Sequence, residues 1–234
     1  MPRIVPFEAH HERYDSWFER HEAAYYSELL AVRALLPWNG RGLEVGVGTG
    51  RFAAPLGVQW AIDPSPVMRS YAARRGISTR PGTAEELPFE DEFFDTVLSV
   101  TTICFVDDAR RMFAEARRVL RPGGQVLVGF IDRASELGEQ YLHQQLDNVF
   151  YREATFYSAP EVQTLLADTG FERPVWVQTL SWSFPVRCRQ SRAFVAMPQS
   201  ETGRIARGGT EVDCTRCRVS RARDRHAEPL ARSG

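Results

Sequence analysis

Residues 42–52 read GLEVGVGTGRF, a short apolar run followed by three glycines that alternate with small side chains. The run is typical of a buried strand, and the next residues, RFAAPL (51–56), are helix-like. Glycines at a strand-to-helix turn adopt positive φ freely and let a ligand approach the main chain, because no Cβ intervenes. From this stretch alone, the glycines can be interpreted either as a cofactor site or as a tight structural turn.

The spacing of these glycines is G-x-G-x-G, and Arg51 directly follows Gly50. The fingerprint that seats a pyrophosphate on a helix N-terminus is G-x-G-x-x-G. The stretch therefore disfavours a nicotinamide dinucleotide, although an oxidoreductase that uses one would share the glycine turn.

Strand-like and helix-like segments alternate along the chain. The strand-like runs are GLEV (42–45), VQWAID (58–63), FDTVLSV (94–100) and GGQVLVGFI (123–131), and the helix-like ones include 65–76 and 106–120. Such alternation predicts an α/β fold with a sheet covered on both faces. RPVWVQTLSW (173–182) and SRAFVAMP (191–198) follow without a helix between them, which predicts antiparallel pairing at a sheet edge.

The segment 14–37 is predicted to be an amphipathic helix with one break, since its apolar residues recur near helical spacing until Pro37. We expect residues 1–38 to form an N-terminal helical cover. The Pro-Gly-Gly within RVLRPGGQVLVGF (118–130) precedes a strand, so we interpret it as a chain reversal and not as a phosphate site.

Composition excludes several classes of chemistry. All 29 basic residues are arginines, and the absence of lysine rules out a lysine Schiff base and a P-loop. The net charge of residues 1–198 is -4, which argues against nucleic acid as a partner. No apolar run is long enough to span a membrane, and the N-terminal residues lack a secretory signal, so a cytoplasmic location is expected.

Asp63 ends the strand-like run WAID, one strand after the glycine turn. A carboxylate in this position can accept hydrogen bonds from two ribose hydroxyls. The alternative is that Asp63 caps the following helix, but Ser65 is the more natural cap. We therefore expect Asp63 to be free for a ligand.

Five ordered motifs together resemble the class I S-adenosylmethionine-dependent methyltransferases, in particular the small-molecule branch of the ubiquinone and menaquinone biosynthesis type. They are LEVGVGTG, AIDPS, GTAEELPF, FDTVLSVTTICFVDD and EARRVLRPGGQVLVGFID. The resemblance implies a Rossmann-like, doubly wound, seven-stranded sheet that is mostly parallel with an antiparallel edge strand. It also implies S-adenosylmethionine as cofactor and a small-molecule methyl acceptor.

The resemblance further implies roles for individual residues. Glu44, Gly46 and Gly48 would surround the methionine part of the cofactor, and Asp63 would bind the ribose. The adenine would be bordered by Thr83, Ala84 and Glu85. Thr101 would lie near the sulfonium. Threonine stands at position 83 where the family often has Asp or Asn. Transfer would be an in-line displacement that rests on positioning and desolvation. A non-catalytic cofactor-binding protein remains the other alternative on this fold.

Residues 133–158 are a candidate substrate cap because they combine predicted helix with aromatic side chains. These are Tyr141, Phe150, Tyr151, Phe156 and Tyr157. Aromatic residues at helical spacing also build ordinary cores, so both interpretations stay open. His143 is the candidate general base, with a surface or packing role as the alternative.

Residues 199–234 have no aromatic side chain, eight arginines and five acids. We expect a disordered tail, and the domain to be residues 1–198, because such a composition buries too little apolar surface. The tail's Cys214, Cys217 and His226 supply three ligands at most, so no metal site is expected.

Overall fold

The computed structural model describes residues 3–37, 39–183 and 187–198, all within one compact unit. The helices of this part are α1 (Val5–Ala9), α2 (His11–Arg20), α3 (Glu22–Leu35), α4 (Ala53–Leu56), α5 (Pro66–Arg74), α6 (Ala109–Val119), α7 (Glu136–His143) and α8 (Ala159–Asp168). Its strands are β1 (Gly42–Val45), β2 (Trp60–Ile62), β3 (Ser78–Arg80), β4 (Phe94–Val100), β5 (Leu120–Phe130), β6 (Val175–Ser183) and β7 (Arg187–Pro198).

The strands form one hydrogen-bonded sheet in the order β3-β2-β1-β4-β5-β7-β6. The first five strands in this order are parallel neighbours, which confirms an α/β, Rossmann-like fold built on a parallel sheet. Five strands, and not all seven, make up this parallel part. Strand β3 has no counterpart among the strand-like runs of the sequence, because its three residues, STR, are too short and polar to stand out.

The expected antiparallel pairing of the last two strands at a sheet edge is confirmed, but the strand that runs against the parallel strands is not the edge strand itself. Strand β7 is antiparallel to both β5 and β6, so it lies second from the edge and β6 forms the edge itself. The two strands form a hairpin, and the chain pairs its second strand with β5. The local pattern predicted antiparallel pairing of the two strands but could not specify which of them pairs with β5.

Both faces of the sheet are buried, as the alternation of strands and helices predicted. Val97 of β4 packs in a cluster with α6 and α8, whereas Leu98 packs in a second cluster with α3 and α4. In β5, Val126 and Val128 belong to the first cluster and Leu127 to the second. Because successive side chains of a strand point to opposite faces, an unbroken apolar run requires cover on both.

Within the segment 14–37 the helices follow the predicted pattern of one helix with a single break, and α1 is a further short helix before it. The break falls at His21, between α2 and α3, where the backbone leaves helical geometry. Phe18 and Val32 are buried in the same cluster as Leu98 and Leu127, so these helices cover one face of the sheet. The segment 133–158 is less helical than expected, since α7 and a short 3-10 turn, Gln145–Asp147, are its only helical parts.

The Pro-Gly-Gly stretch makes an irregularity at the start of β5. Phe94 pairs with Leu120 and Thr96 pairs with Gln125, so the intervening residues loop out of register. None of them lines the cavity described below, so the stretch is not a phosphate site there. The predicted chain reversal between helix and strand needs correction, because Pro122 to Gly124 lie within β5 and form a bulge in that strand. The predicted tail, 199–234, with Cys214, Cys217 and His226, lies outside the described residues. Within the described ranges, every helix is too short or too polar to cross a bilayer.

Candidate functional site

A cavity of about 630 Å³ opens at the carboxyl ends of β1, β2 and β4. In an open parallel sheet this is the position at which ligands bind. Among the lining residues at or just beyond the carboxyl ends of the strands are eight that we call the floor: Glu44, Gly46, Gly48, Asp63, Thr83, Ala84, Glu85 and Thr101. All eight residues that the resemblance implied for the cofactor therefore line one cavity.

The glycine turn is both a structural turn and part of this floor. Gly46, Gly48 and Gly50 all have positive φ, at 73°, 53° and 83°. A Cβ on Gly46 would overlap the side chain of Thr102, and one on Gly48 would lie 2.9 Å from the Tyr14 hydroxyl. Protein neighbours thus already require these glycines, while the main chain at Gly46 and Gly48 still lines the cavity. The turn is therefore required by the protein structure itself, and it also borders a cavity that could hold a ligand.

Asp63 ends β2 in a buried position, with 7% of its surface exposed. Ser65 caps α5 as predicted, because its hydroxyl accepts from the Met68 amide at 3.2 Å. The expectation that Asp63 is free needs correction. One carboxylate oxygen accepts from the Gly48 amide and the other from the Ser65 amide, both at 2.9 Å. Each oxygen has two lone pairs, so the carboxylate can accept further hydrogen bonds.

Burial dominates the electrostatics of Asp63. It raises the pKa of this carboxyl to about 6, although the backbone amides of Ser65 and Gly48 act in the opposite direction. Asp63 is therefore ionised at neutral pH but close to its titration range.

Glu44 is buried beneath the glycine turn, with 1% of its surface exposed. The Ala53 amide donates to its carboxylate, whereas its Oε2 atom has no hydrogen-bond partner in the protein. Burial, followed by the nearby charge of Asp63, raises the pKa of Glu44 well above its usual range. An unpaired buried acceptor that borders a cavity is unfavourable unless a ligand donates to it.

The segment from Thr83 to Glu85 lines another wall of the floor. Ala84 is buried, and Thr83 forms an isolated bridge with Glu86 that closes this turn. The Glu85 carboxylate accepts from the Asp107 and Asp108 amides, at 2.7 and 3.3 Å. Its side chain is thus used to hold the loop that follows β4.

Thr101 directly follows β4 and has a φ of 57°. This left-handed conformation is an outlier for a β-branched residue, and its cost must be offset by surrounding contacts. The Thr101 amide donates to the Gly129 carbonyl at 2.7 Å, which continues the pairing of β4 with β5. Nothing in the sequence indicated this strain.

A roof of aromatic side chains faces the floor, and it comprises Phe7, Tyr14, Phe105, Phe150 and Tyr151. The Phe7 ring lies 5.5 Å from Tyr14, 5.0 Å from Phe105 and 5.4 Å from Phe150, measured between centroids. The Phe105 and Tyr151 centroids are 5.4 Å apart. Distances of this kind are those of favourable aromatic pairs. Residues of α1 and α2 thus meet residues of the segment 133–158 above the cavity.

The candidate cap residues divide between the two roles that the sequence left open. Phe150 lines the cavity, and Tyr141 and Tyr151 line it while also packing against the cluster that contains Phe156. Phe156 and Tyr157 pack in or against the hydrophobic clusters and do not line the cavity. His143 is exposed at the end of α7 and does not line the cavity, so the structure does not bring it to the site. Among the described residues, no group of three or more His, Cys, Asp and Glu could hold a metal ion.

Sequence analysis missed Phe7 and Tyr14 as cavity residues. Their helices were predicted as a cover, but α1 has only five residues, and helical periodicity cannot indicate which distant loop a side chain will meet. The one available signal was the concentration of aromatic residues on both segments.

Comparison with known proteins agrees with the fold. The family described as "Methyltransferase domain" matches residues 43–128. A crystal structure of a SAM-dependent methyltransferase from Thermotoga maritima, described as a possible histamine N-methyltransferase, is 40% identical, with a TM-score of 0.79. The alignment covers 84% of this chain and all of that one.

Relatives known from their sequences extend this comparison. An uncharacterised protein of Methanocaldococcus jannaschii is 42% identical over 74% of this chain and 84% of its own length. A ubiquinone biosynthesis O-methyltransferase of Azorhizobium caulinodans is 30% identical over 60% of this chain and 62% of its own. An uncharacterised protein of Mycobacterium tuberculosis is 39% identical, and the alignment covers 57% of that protein's length. The chain therefore belongs to the class I S-adenosylmethionine-dependent methyltransferases.

Proposed function

We propose that this methyltransferase transfers the methyl group of S-adenosylmethionine to a small, flat acceptor bound beneath the aromatic roof. The observation that carries the proposal is that one cavity contains both the floor and the roof. The cofactor, when bound, supplies a methyl group already activated by the positive charge of its sulfonium. The protein's contribution is then to hold the reactants in line and to exclude water.

The floor fits the cofactor in the arrangement that the family resemblance implied. Glu44, Gly46 and Gly48 would hold the methionine part, and the unpartnered Oε2 atom of Glu44 suits a donor such as an ammonium group. Asp63 would accept from the ribose hydroxyls with the lone pairs that its two backbone amides leave available.

The adenine would lie against the turn that contains Thr83, Ala84 and Glu85. Because the Glu85 carboxylate already accepts from two amides, we expect this residue to contribute its main chain and the shape of the turn. Thr101 would border the sulfonium, and its left-handed backbone orients the end of β4 toward the cavity.

The roof supports a flat acceptor. Phe7, Phe105 and Phe150 present ring faces and edges within a single aromatic cluster, and such surfaces favour a planar or apolar ligand. The same rings exclude water from the transfer. We further propose residues 1–198 as the methyltransferase domain, with 1–38 as its helical cover and 133–158 as the cap on the acceptor side.

The atom that accepts the methyl group is tested as nitrogen and as oxygen, because one relative is named for each chemistry. The purified chain is incubated with S-adenosylmethionine and one acceptor at a time: histamine, a catechol, and ethanolamine, which lacks a ring. The measurement is S-adenosylhomocysteine formed per enzyme.

We expect turnover with a ring-containing acceptor and only background with ethanolamine. The variant Asp63→Ala should reduce turnover at limiting cofactor, whereas Asp95→Ala, which removes a carboxylate that does not line the cavity, should not. Turnover with ethanolamine alone would contradict the flat acceptor.

A further inference from the structure

Asp15 of α2 joins the N-terminal cover to the glycine turn. Its carboxylate accepts from the Arg51 guanidinium at 2.8 and 2.7 Å and from the Arg75 guanidinium at 3.1 and 3.0 Å. Arg51 is the residue that directly follows the turn, and Arg75 follows α5. The carboxylate of Asp15, in the N-terminal cover, thus binds two arginines that follow the glycine turn and α5.

These three side chains are largely buried. The exposed fraction of the side chain is 16% for Asp15, 17% for Arg51 and 27% for Arg75. Burial opposes ionisation of Asp15, yet the hydrogen bonds from Arg51 and Arg75 lower its pKa to about 2. A charged pair in such surroundings is costly to break, because the remaining charges stay poorly solvated.

The same contacts hold the main chain of the turn. Arg75 donates to the Thr49 carbonyl at 2.6 Å, and Arg51 donates to the Asp15 carbonyl at 3.1 Å. The Tyr25 hydroxyl donates to the Arg51 carbonyl. The main chain from Thr49 to Arg51 is therefore fixed to α2 through the two arginines and to α3 through Tyr25.

The position of α2 determines what lies above the floor. Tyr14 precedes Asp15 in this helix, and its hydroxyl occupies the space next to Gly48 in which a Cβ would lie. Phe7, in the preceding helix, and Tyr14 belong to the roof. A second attachment acts at α1, where Glu8 accepts from the Ser65 hydroxyl at 2.9 Å.

We propose that Asp15 is a positioning residue for the cofactor: by pairing with Arg51 and Arg75 it holds the roof over the glycine turn, and cofactor affinity depends on this pairing. The proposal rests on the placement of the cofactor at the glycine turn given under the proposed function. Asp15 does not line the cavity, so its influence is exerted through Tyr14 and the turn.

The test compares three variants of the full chain by calorimetric titration with S-adenosylhomocysteine. Asp15→Asn removes the charge but keeps the shape, and Arg75→Gln removes a partner that does not line the cavity. Glu19→Gln is the matched control, because Glu19 also binds Arg51, at 2.9 Å, but its side chain is 70% exposed. An exposed pair of this kind contributes little.

We expect the dissociation constant to rise about 10-fold in Asp15→Asn and about 5-fold in Arg75→Gln, and by less than about 2-fold in Glu19→Gln. The double variant Asp15→Asn, Arg75→Gln should lose less affinity than the sum of the two single losses, since both changes remove the pairing of Asp15 with Arg75. Wild-type affinity in Asp15→Asn, or additive losses in the double variant, would overturn the proposal.

Trypsin cleavage distinguishes loosening of the cover from general destabilisation. Arg13 and Arg20 are exposed on α2, and Arg110 is exposed on α6. In Asp15→Asn we expect several-fold faster cleavage at the first two sites and unchanged cleavage at Arg110. Equal acceleration at all three sites would show a merely structural role. If Asp63→Ala also binds S-adenosylhomocysteine normally, the placement of the cofactor fails, independently of the result for Asp15.

Discussion

The floor and the roof of the cavity differ in how far apart their residues lie in the sequence. The floor residues lie at or beyond the ends of the strands, within the stretch from Glu44 to Thr101, and the ordered motifs of the sequence contain all eight of them. The roof brings Phe7 and Tyr14 against Phe150, more than 130 positions later in the chain. Under the proposed function, the part that would hold the cofactor is encoded locally, and the part that would receive the acceptor depends on long-range packing.

The largest effect is expected where floor and roof touch, at Gly48. In Gly48→Val a side chain would meet the Tyr14 hydroxyl and also occupy a left-handed backbone position, so cofactor binding should be abolished at a stability cost of about 1–3 kcal/mol. Calorimetric titration with S-adenosylhomocysteine and thermal melting check this.

Gly57→Val is the matched control for Gly48. Gly57 also has positive φ, at 73°, but nothing lies within 4 Å of its Cβ position. This variant should melt lower and bind normally. Normal binding by Gly48→Val would show that the two surfaces do not need to approach so closely.

A smaller loss is expected within the floor alone. Asp63→Ala removes an ionised acceptor of the ribose hydroxyls, so cofactor binding should weaken by about 1.5–3 kcal/mol, roughly 10- to 150-fold. The comparison variant is Asp95→Ala, because Asp95 likewise accepts from a backbone amide, that of Arg41 at 2.7 Å, but does not line the cavity. Equal dissociation constants for the two folded variants would refute the ribose assignment.

The floor should also make cofactor affinity depend on pH. Since the pKa of Asp63 is about 6, protonation below this value removes the acceptor, and affinity at pH 5 should be about 10-fold weaker than at pH 7.5. Titrations between these values measure the effect, which should be flatter in Asp63→Ala. An affinity that is constant with pH in the wild type would contradict the prediction.

The unliganded protein should respond to pH in the opposite direction. Because folding raises the pKa of Asp63 from 3.8 to about 6, its contribution to the free energy of unfolding is largest below pH 4 and is lost as the pH rises through 6. Burial of Glu44 acts with the same sign. The melting temperature of Glu44→Gln, relative to that of the wild type, should therefore rise as the pH increases.

The smallest effect on the cofactor is expected in the roof. Phe150→Ala removes contacts with Phe7 and Tyr14 that are worth about 0.5–1.5 kcal/mol each, so the KM for the acceptor should rise several-fold. The dissociation constant of S-adenosylhomocysteine should change by less than about 2-fold, since the floor is intact. Leu146→Ala, in the same segment but 77% exposed, is the control and should change neither value.

By itself, the sequence determined the strand, turn and helix that build the floor, the α/β class and the cofactor family. Those features follow from local apolar patterns and glycine positions, which the chain specifies within a few residues. Only the tertiary structure decided that Gly46 is required by Thr102 and Gly48 by Tyr14, and that both Asp63 oxygens accept from backbone amides.

The tertiary structure also decided which aromatic residues form the roof. Phe150 and Phe156 are the same residue type and lie in the same predicted cap. Phe150 nevertheless lines the cavity, whereas Phe156 is buried in a hydrophobic cluster. His143, the candidate base, lies on the exposed end of α7 for the same reason. Packing between segments distant in the chain sets the direction of each side chain, and no local period of the sequence encodes that direction.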